Sequence, residues 1–247
     1  MSLQLASTPS VTAGSLLKRS FAVWMKNFVP FTILYALFTW PSALPLVSDI
    51  RLFSGHPRYA AILGLLLGNI AAGAMAYGVF MQLRGQRVGT GQSIVFGLRS
   101  LLPVLGVGLL VAVVVGLAST IAWGVPGLVL QLFFFVAVPA AVVEKSSLLE
   151  ALVRSKQLTD DYKVTIFGTL MLITLATYAF SFAVGALVRW GIPAPSSSDK
   201  MHQAQIVLRS VTLVFGAWYS VAAAVAYHDL RVHKDGVGTE EIAKVFD

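Results

Sequence analysis

The chain has 247 residues, of which 57% are hydrophobic and 12% charged, and its mean hydropathy is +0.79. A soluble domain of this length carries about a quarter charged residues, so the composition excludes a water-soluble globule and predicts an integral membrane protein. The chain contains no cysteine, which excludes disulfides and thiolate metal sites. Its formal net charge of +7 would suit nucleic acid, but no basic cluster stands beside stacking aromatics, and the placement of the cations fits membrane orientation instead.

In chain order, a polar segment around Ser15 precedes the first apolar block, Phe28 to Val47, which carries Pro30, Pro41 and Pro45 and is predicted to be kinked or short. Crossing the hydrocarbon takes about 20 mainly apolar residues. Further blocks of that kind run from Tyr59 to Leu83, Leu101 to Ala122, Val125 to Val143, Val164 to Val188 and Ile206 to Tyr227. Only Trp123-Gly124-Val125-Pro126-Gly127, a turn signal, separates the third from the fourth. The predicted fold is all-α: a polytopic membrane protein of six transmembrane helices, with residues 1–228 as one transmembrane domain and 229–247 as a short cytoplasmic tail.

Lysine and arginine set the orientation. With a cytoplasmic N-terminus, thirteen cations fall inside, among them Lys18, Arg19, Lys26, Lys145, Arg154, Lys156, Lys163, Arg231 and Lys234. Five fall outside: Arg51, Arg58, Arg189, Lys200 and Arg209. Both termini are then cytoplasmic. Trp40, Tyr59, Trp123 and Trp190 are expected at the outer interface, and Trp24, Tyr162 and Tyr227 at the inner one. No cleavable signal peptide is expected, because the first apolar block is too long and follows a polar, helix-forming stretch.

A similar polar segment precedes each odd-numbered span: Ser15 to Ser20, Ser93 to Ser100, and Ser147 to Ser155, each opening on a possible N-cap serine and closing on Arg-Ser. In the third, Ser147 and Glu150 have capping-box spacing. In the first, Leu17, Phe21, Trp24 and Phe28 share a face opposite Lys18, Arg19 and Lys26. Such helices lie in the membrane interface. The expectation is three repeats of interfacial amphipathic helix plus transmembrane hairpin, although the spacing between repeats is uneven. Small residues at four-residue spacing, Gly64, Gly68, Ala72 and Ala76, then Gly108, Ala112 and Gly116, then Gly216, Ser220 and Ala224, predict close helix packing rather than a substrate groove.

The run Pro139-Ala140-Ala141-Val142-Val143-Glu144, followed by Ser147 to Ser155 and Leu158-Thr159, resembles a prokaryotic six-helix membrane family. That family includes the membrane domain of glycerophosphodiester phosphodiesterases and the YciC-like inner-membrane proteins. Tyr227-His228-Asp229-Leu230-Arg231 is similar to its closing motif, with His228 and His233 in place of an aromatic and a basic residue, and Leu16 to Phe28 fits its opening. The resemblance implies a multi-pass protein of a prokaryotic cell (inner) membrane, without the family's phosphodiesterase domain.

The chemistry-bearing residues do not form a catalytic pattern. His56, His202, His228 and His233 include no HExxH pair, and Arg84 to Gly91 lacks the lysine and serine of a P-loop. Within the spans Asn69, Gln131 and Arg209 stand out; the first two are expected to hydrogen-bond between helices, and Arg209 to snorkel outward. No cofactor or metal is expected, and the expected partners are membrane lipids and an unidentified protein, with no nucleic acid. The candidate site is a cytoplasmic cluster, Glu144, Glu150, Arg154, Asp229 and Arg231, read as salt bridges or as a headgroup-binding set. In the salt-bridge reading, Glu144 or Asp229 pairs with Arg154 or Arg231. After Gly238 a short amphipathic tail helix is expected. The functional expectation is a non-enzymatic, lipid-associated or envelope-related membrane scaffold; the alternative is a transporter or lipid-translocating subunit, which a polar cavity between the hairpins would favour.

Overall fold

The structure, a computed structural model, describes residues 11–39, 57–83, 101–121, 125–191 and 197–236. The second interfacial segment, the loop 84–91 and the tail helix lie outside these residues. Among the described residues every regular element is helical. In chain order they are α1 (Ala13–Lys26), α2 (Phe28–Thr39), α3 (Pro57–Leu83), α4 (Leu101–Ser119), α5 (Val125–Phe133), α6 (Ala137–Glu144), α7 (Leu148–Thr159), a 3-10 turn (Asp160–Tyr162), α8 (Lys163–Gly191) and α9 (Ser197–Asp235).

Local chemistry explains many of these boundaries. Each proline among the described residues, Pro30, Pro57, Pro103, Pro126 and Pro139, falls within the first three positions of a helix. A helix start leaves its first backbone N–H groups unpaired, so the missing proton costs nothing there. Pro30 thus opens α2 rather than kinking a span, and Pro139 opens α6, which divides the expected fourth span at residues 134–136. The N-cap of α1 falls three residues before the expected serine: it is Thr12, and Thr12 and Ser15 bond reciprocally at 3.2 and 2.9 Å. α7 begins as its sequence predicts, with the Ser147 N–H donating to Glu150 Oε2 at 2.9 Å.

Neighbouring helices run in alternating directions. The pairs Asn27–Gln82 and Tyr35–Gly68 set α2 antiparallel to α3, and Gly73–Val104 and Gly108–Asn69 do the same for α3 and α4. α5–α6 runs parallel to α9, since Gln131 meets Tyr219 and Glu144 meets Tyr227. Among the described residues three helical runs, Val125–Glu144, Leu148–Leu187 and Ile206–Asp235, are long and apolar enough to cross a membrane; α1 and α2, which meet at 88°, make a fourth if the bent pair is one span. The first and third polar segments are built differently: α1 turns sharply into α2 at Asn27, whereas α7 continues through the 3-10 turn into α8.

The core gathers around α6 and the second half of α9. Residues Ala137 to Val143 are all buried, as are Leu16, Phe31, Met75, Phe80, Leu158, Tyr227 and Leu230. Trp24, expected at the inner interface, is buried instead, stacked on Trp218 with ring centroids 5.6 Å apart. Ser20 accounts for this, because its small hydroxyl lets α1 approach α9 and accepts from the Trp218 indole at 3.2 Å. α8 has the opposite character. Val164, Phe182 and Trp190 are 86, 80 and 88% exposed, an apolar face too large to leave against water.

The small-residue stripes divide between close contacts and open space. A Cβ at Gly108 would come within 2.6 Å of the Asn69 side chain, and one at Gly216 within 2.5 Å of the Tyr35 ring. Gly68, Ala72, Ala112, Gly116 and Ser220 instead line a cavity of about 450 Å³ between α2, α3, α4, α5, α6 and α9. Asn69 packed at Gly108 and Tyr35 packed at Gly216 hold the rest of those two stripes away from a partner.

Candidate functional site

The end of α6, the start of α7 and the last turns of α9 converge on Glu144. Lys145 adopts the left-handed conformation at φ 49°, which turns the chain sharply out of α6 and lets α7 fold back beside it. Arg154, on the second turn of α7, then donates from Nε to Glu144 Oε1 at 2.9 Å. Tyr227 donates its hydroxyl to the same oxygen at 2.9 Å and accepts from Arg231 Nη1 at 2.9 Å.

On α9, Tyr227, Arg231 and Asp235 follow at four-residue spacing, which places them on one face. Asp235 pairs with Arg154 and lies 3.7 Å from Arg231 Nε, which is 3.9 Å from Glu144. Two carboxylates thus face two guanidiniums, a neutral set in which each ionic side chain is 18–26% exposed. Pairs at this depth fix geometry more reliably than they add stability.

Of the five expected cluster residues, Glu144, Arg154 and Arg231 come together. Glu150 does not join them; it caps α7, and the Ser147 backbone N–H and hydroxyl hold its carboxyl below the usual carboxylate range. Asp229 pairs with neither Arg154 nor Arg231. It is 8% exposed, bonds Arg19 of α1, and lies 3.0 Å from Nδ1 of His228. Asp229 is two residues from both Tyr227 and Arg231, so it projects from another side of α9. Arg19, Tyr227 and Asp235 escape the sequence reading of the cluster, although the four-residue spacing of Tyr227, Arg231 and Asp235 signals a shared face.

The surrounding contacts extend the joint. Lys234 donates to the Gln157 carbonyl at 2.6 Å and pairs with Asp161 at 2.7 Å. The α5–α6 break is supported from α7: Ser155 and Thr159 donate to the Phe133 carbonyl at 2.7 and 3.3 Å. They satisfy an acceptor that the end of α5 leaves unpaired. The expected boundary at residues 228–229 therefore falls inside α9, and residues as far as Asp235 belong to the joint. Among the described residues no three His, Asp or Glu side chains converge as a metal site requires.

Compared with protein-family models, curated proteins and solved structures, the chain matches none. Among the described residues the fold is all-helical, with several helices long and apolar enough to span a membrane.

Proposed function

We propose that the chain is a non-enzymatic, multi-pass protein of a prokaryotic inner membrane, a lipid-associated scaffold akin to the six-helix family its motifs resemble. The observation that carries this reading is the exposed apolar face of α8, which suits lipid as its surroundings. The antiparallel sequence α2, α3, α4, α5–α6, α8, α9 supports six crossings with both termini inside. A reporter fused at Asp247 is expected to read cytoplasmic and one at Ser197 external; a cytoplasmic signal from Ser197 overturns the topology.

The joint at Glu144 supports a scaffolding role, since its acids and guanidiniums engage one another and tie α6, α7 and α9 together. Native mass spectrometry of chain extracted from membranes is expected to find retained lipid or a stoichiometric second protein. Bare monomer would count against a scaffold. The second reading, a lipid-translocating subunit, is favoured by the mid-bundle cavity, and flux of labelled lipid across proteoliposomes would distinguish it.

A further inference from the structure

The mid-bundle cavity has a lining that sorts its guests by chemistry. Its volume, about 450 Å³, falls in the range of small-molecule sites, roughly 300–1,000 Å³. The polar side chains on its wall are Tyr35, Asn69, Ser119, Gln131, Tyr219 and Ser220; no charged residue lines it among the described residues. An ion entering would lose its water without meeting a counter-charge, so the lining disfavours charged guests.

A purely apolar guest is disfavoured for a different reason. Ser119 and Ser220 turn their hydroxyl protons back to the carbonyls of Val115 and Gly216, at 2.7 and 3.0 Å. Gln131 donates to the Tyr219 oxygen at 2.7 Å. No described residue accepts the phenol proton of Tyr35 or of Tyr219. Two donors on an apolar wall call for an oxygen acceptor between them. Space for it is kept by glycine: a Cβ at Gly116 would meet nothing within 4 Å, and one at Gly68 only the Tyr35 hydroxyl, at 3.7 Å.

We propose that this cavity binds an uncharged amphiphile whose hydroxyl, ester or ketone oxygen accepts from Tyr35 and Tyr219 while its apolar body lies against Val111, Val115 and Phe135. The proposal rests on the membrane-protein reading but not on the choice between scaffold and translocator.

The test uses the full chain in lipid nanodiscs with a diazirine-bearing dodecanol, photolysed and mapped by peptide mass spectrometry. Label is expected on peptides spanning 111–119 and 131–139. Excess dodecanol should displace it; dodecane, which lacks the acceptor, and dodecyl phosphate, which is charged, should not. Tyr35→Phe, which removes only the hydroxyl, should lower labelling several-fold. Gly116→Phe, which fills the open space, should lower it about tenfold, with Ala112→Leu as a second filling variant should the first misfold. Gly185→Phe on α8, where a Cβ also meets nothing within 4 Å, should leave labelling unchanged.

Equal competition by dodecane makes the cavity an unselective apolar void, and equal competition by the phosphate removes the charge argument; either overturns the proposal. So does label spread along the exposed face of α8 and indifferent to the filling variants. Chain recovered outside the membrane fraction overturns instead the membrane reading beneath it.

Discussion

Glu144 Oε1 accepts from the Arg154 guanidinium and the Tyr227 hydroxyl at once, and that hydroxyl in turn accepts from Arg231. Tyr227 is fully buried, so its oxygen has no water to replace a lost partner. Tyr227→Phe is expected to destabilise the protein by about 1–3 kcal/mol, because it leaves a half-buried guanidinium donor short of an acceptor. Unfolding in mixed detergent micelles checks it, and an unchanged midpoint would mean that the hydroxyl is dispensable. Asp229 answers to a different partner. Asp229→Arg should be rescued by Arg19→Asp and not by Arg154→Glu, with a coupling of about 0.5–3 kcal/mol in the first cycle and none in the second. Coupling to Arg154 would place Asp229 in the Glu144 joint after all.

At the scale of elements, glycine decides how near two helices come. A Cβ at Gly127 would lie 1.9 Å from Ser119 Oγ and 2.9 Å from its Cα, so the α4–α5 hairpin must part to accept it. Gly127→Ala is expected to cost about 1–3 kcal/mol, read as a lower melting temperature in detergent. Gly116→Ala should be neutral or gain up to about 1 kcal/mol, since it faces open space and alanine favours helix. The reverse ranking would mean that the cavity closes in the membrane. In the sequence Gly68 and Gly116 read as packing-stripe residues and Gly127 as part of a turn signal. Their difference comes from what the neighbouring helix presents: the Ser119 backbone at one, Tyr35 at another, empty space at the third.

For the whole molecule, the division between lipid-facing and buried aromatics is measurable. Trp190 is 88% exposed and Trp218 is 5% exposed. In single-tryptophan variants reconstituted with brominated lipid, Trp190 should be strongly quenched and Trp218 weakly. Equal quenching would show that α1 does not cover α9 as described. This cover is a tertiary matter: the helical face predicted for α1 was centred on Leu17, Phe21 and Trp24, whereas the buried set is Leu16, Ser20, Val23 and Trp24. A hydrophobic stripe read alone points toward the nearest apolar medium, and here that medium is partly another helix.

The apolar blocks, the helical class, the α3 boundaries and the Ser147–Glu150 cap were legible in the amino-acid order, because each depends on contacts within a few residues. The Glu144–Arg154 pairing was among those expected from the gathering of charges at the inner boundary, and the left-handed turn at Lys145 is what brings the two residues together. What only the tertiary structure decided lies at long range. Asp229 meets a residue 210 positions away, Trp24 stacks on a helix from the far end of the chain, and small residues that read as packing stripes border a cavity. Local sequence specifies which groups a helix carries and roughly where it begins. Which of them meet is set by how the helices cross, and crossing is settled by the summed fit of all their side chains.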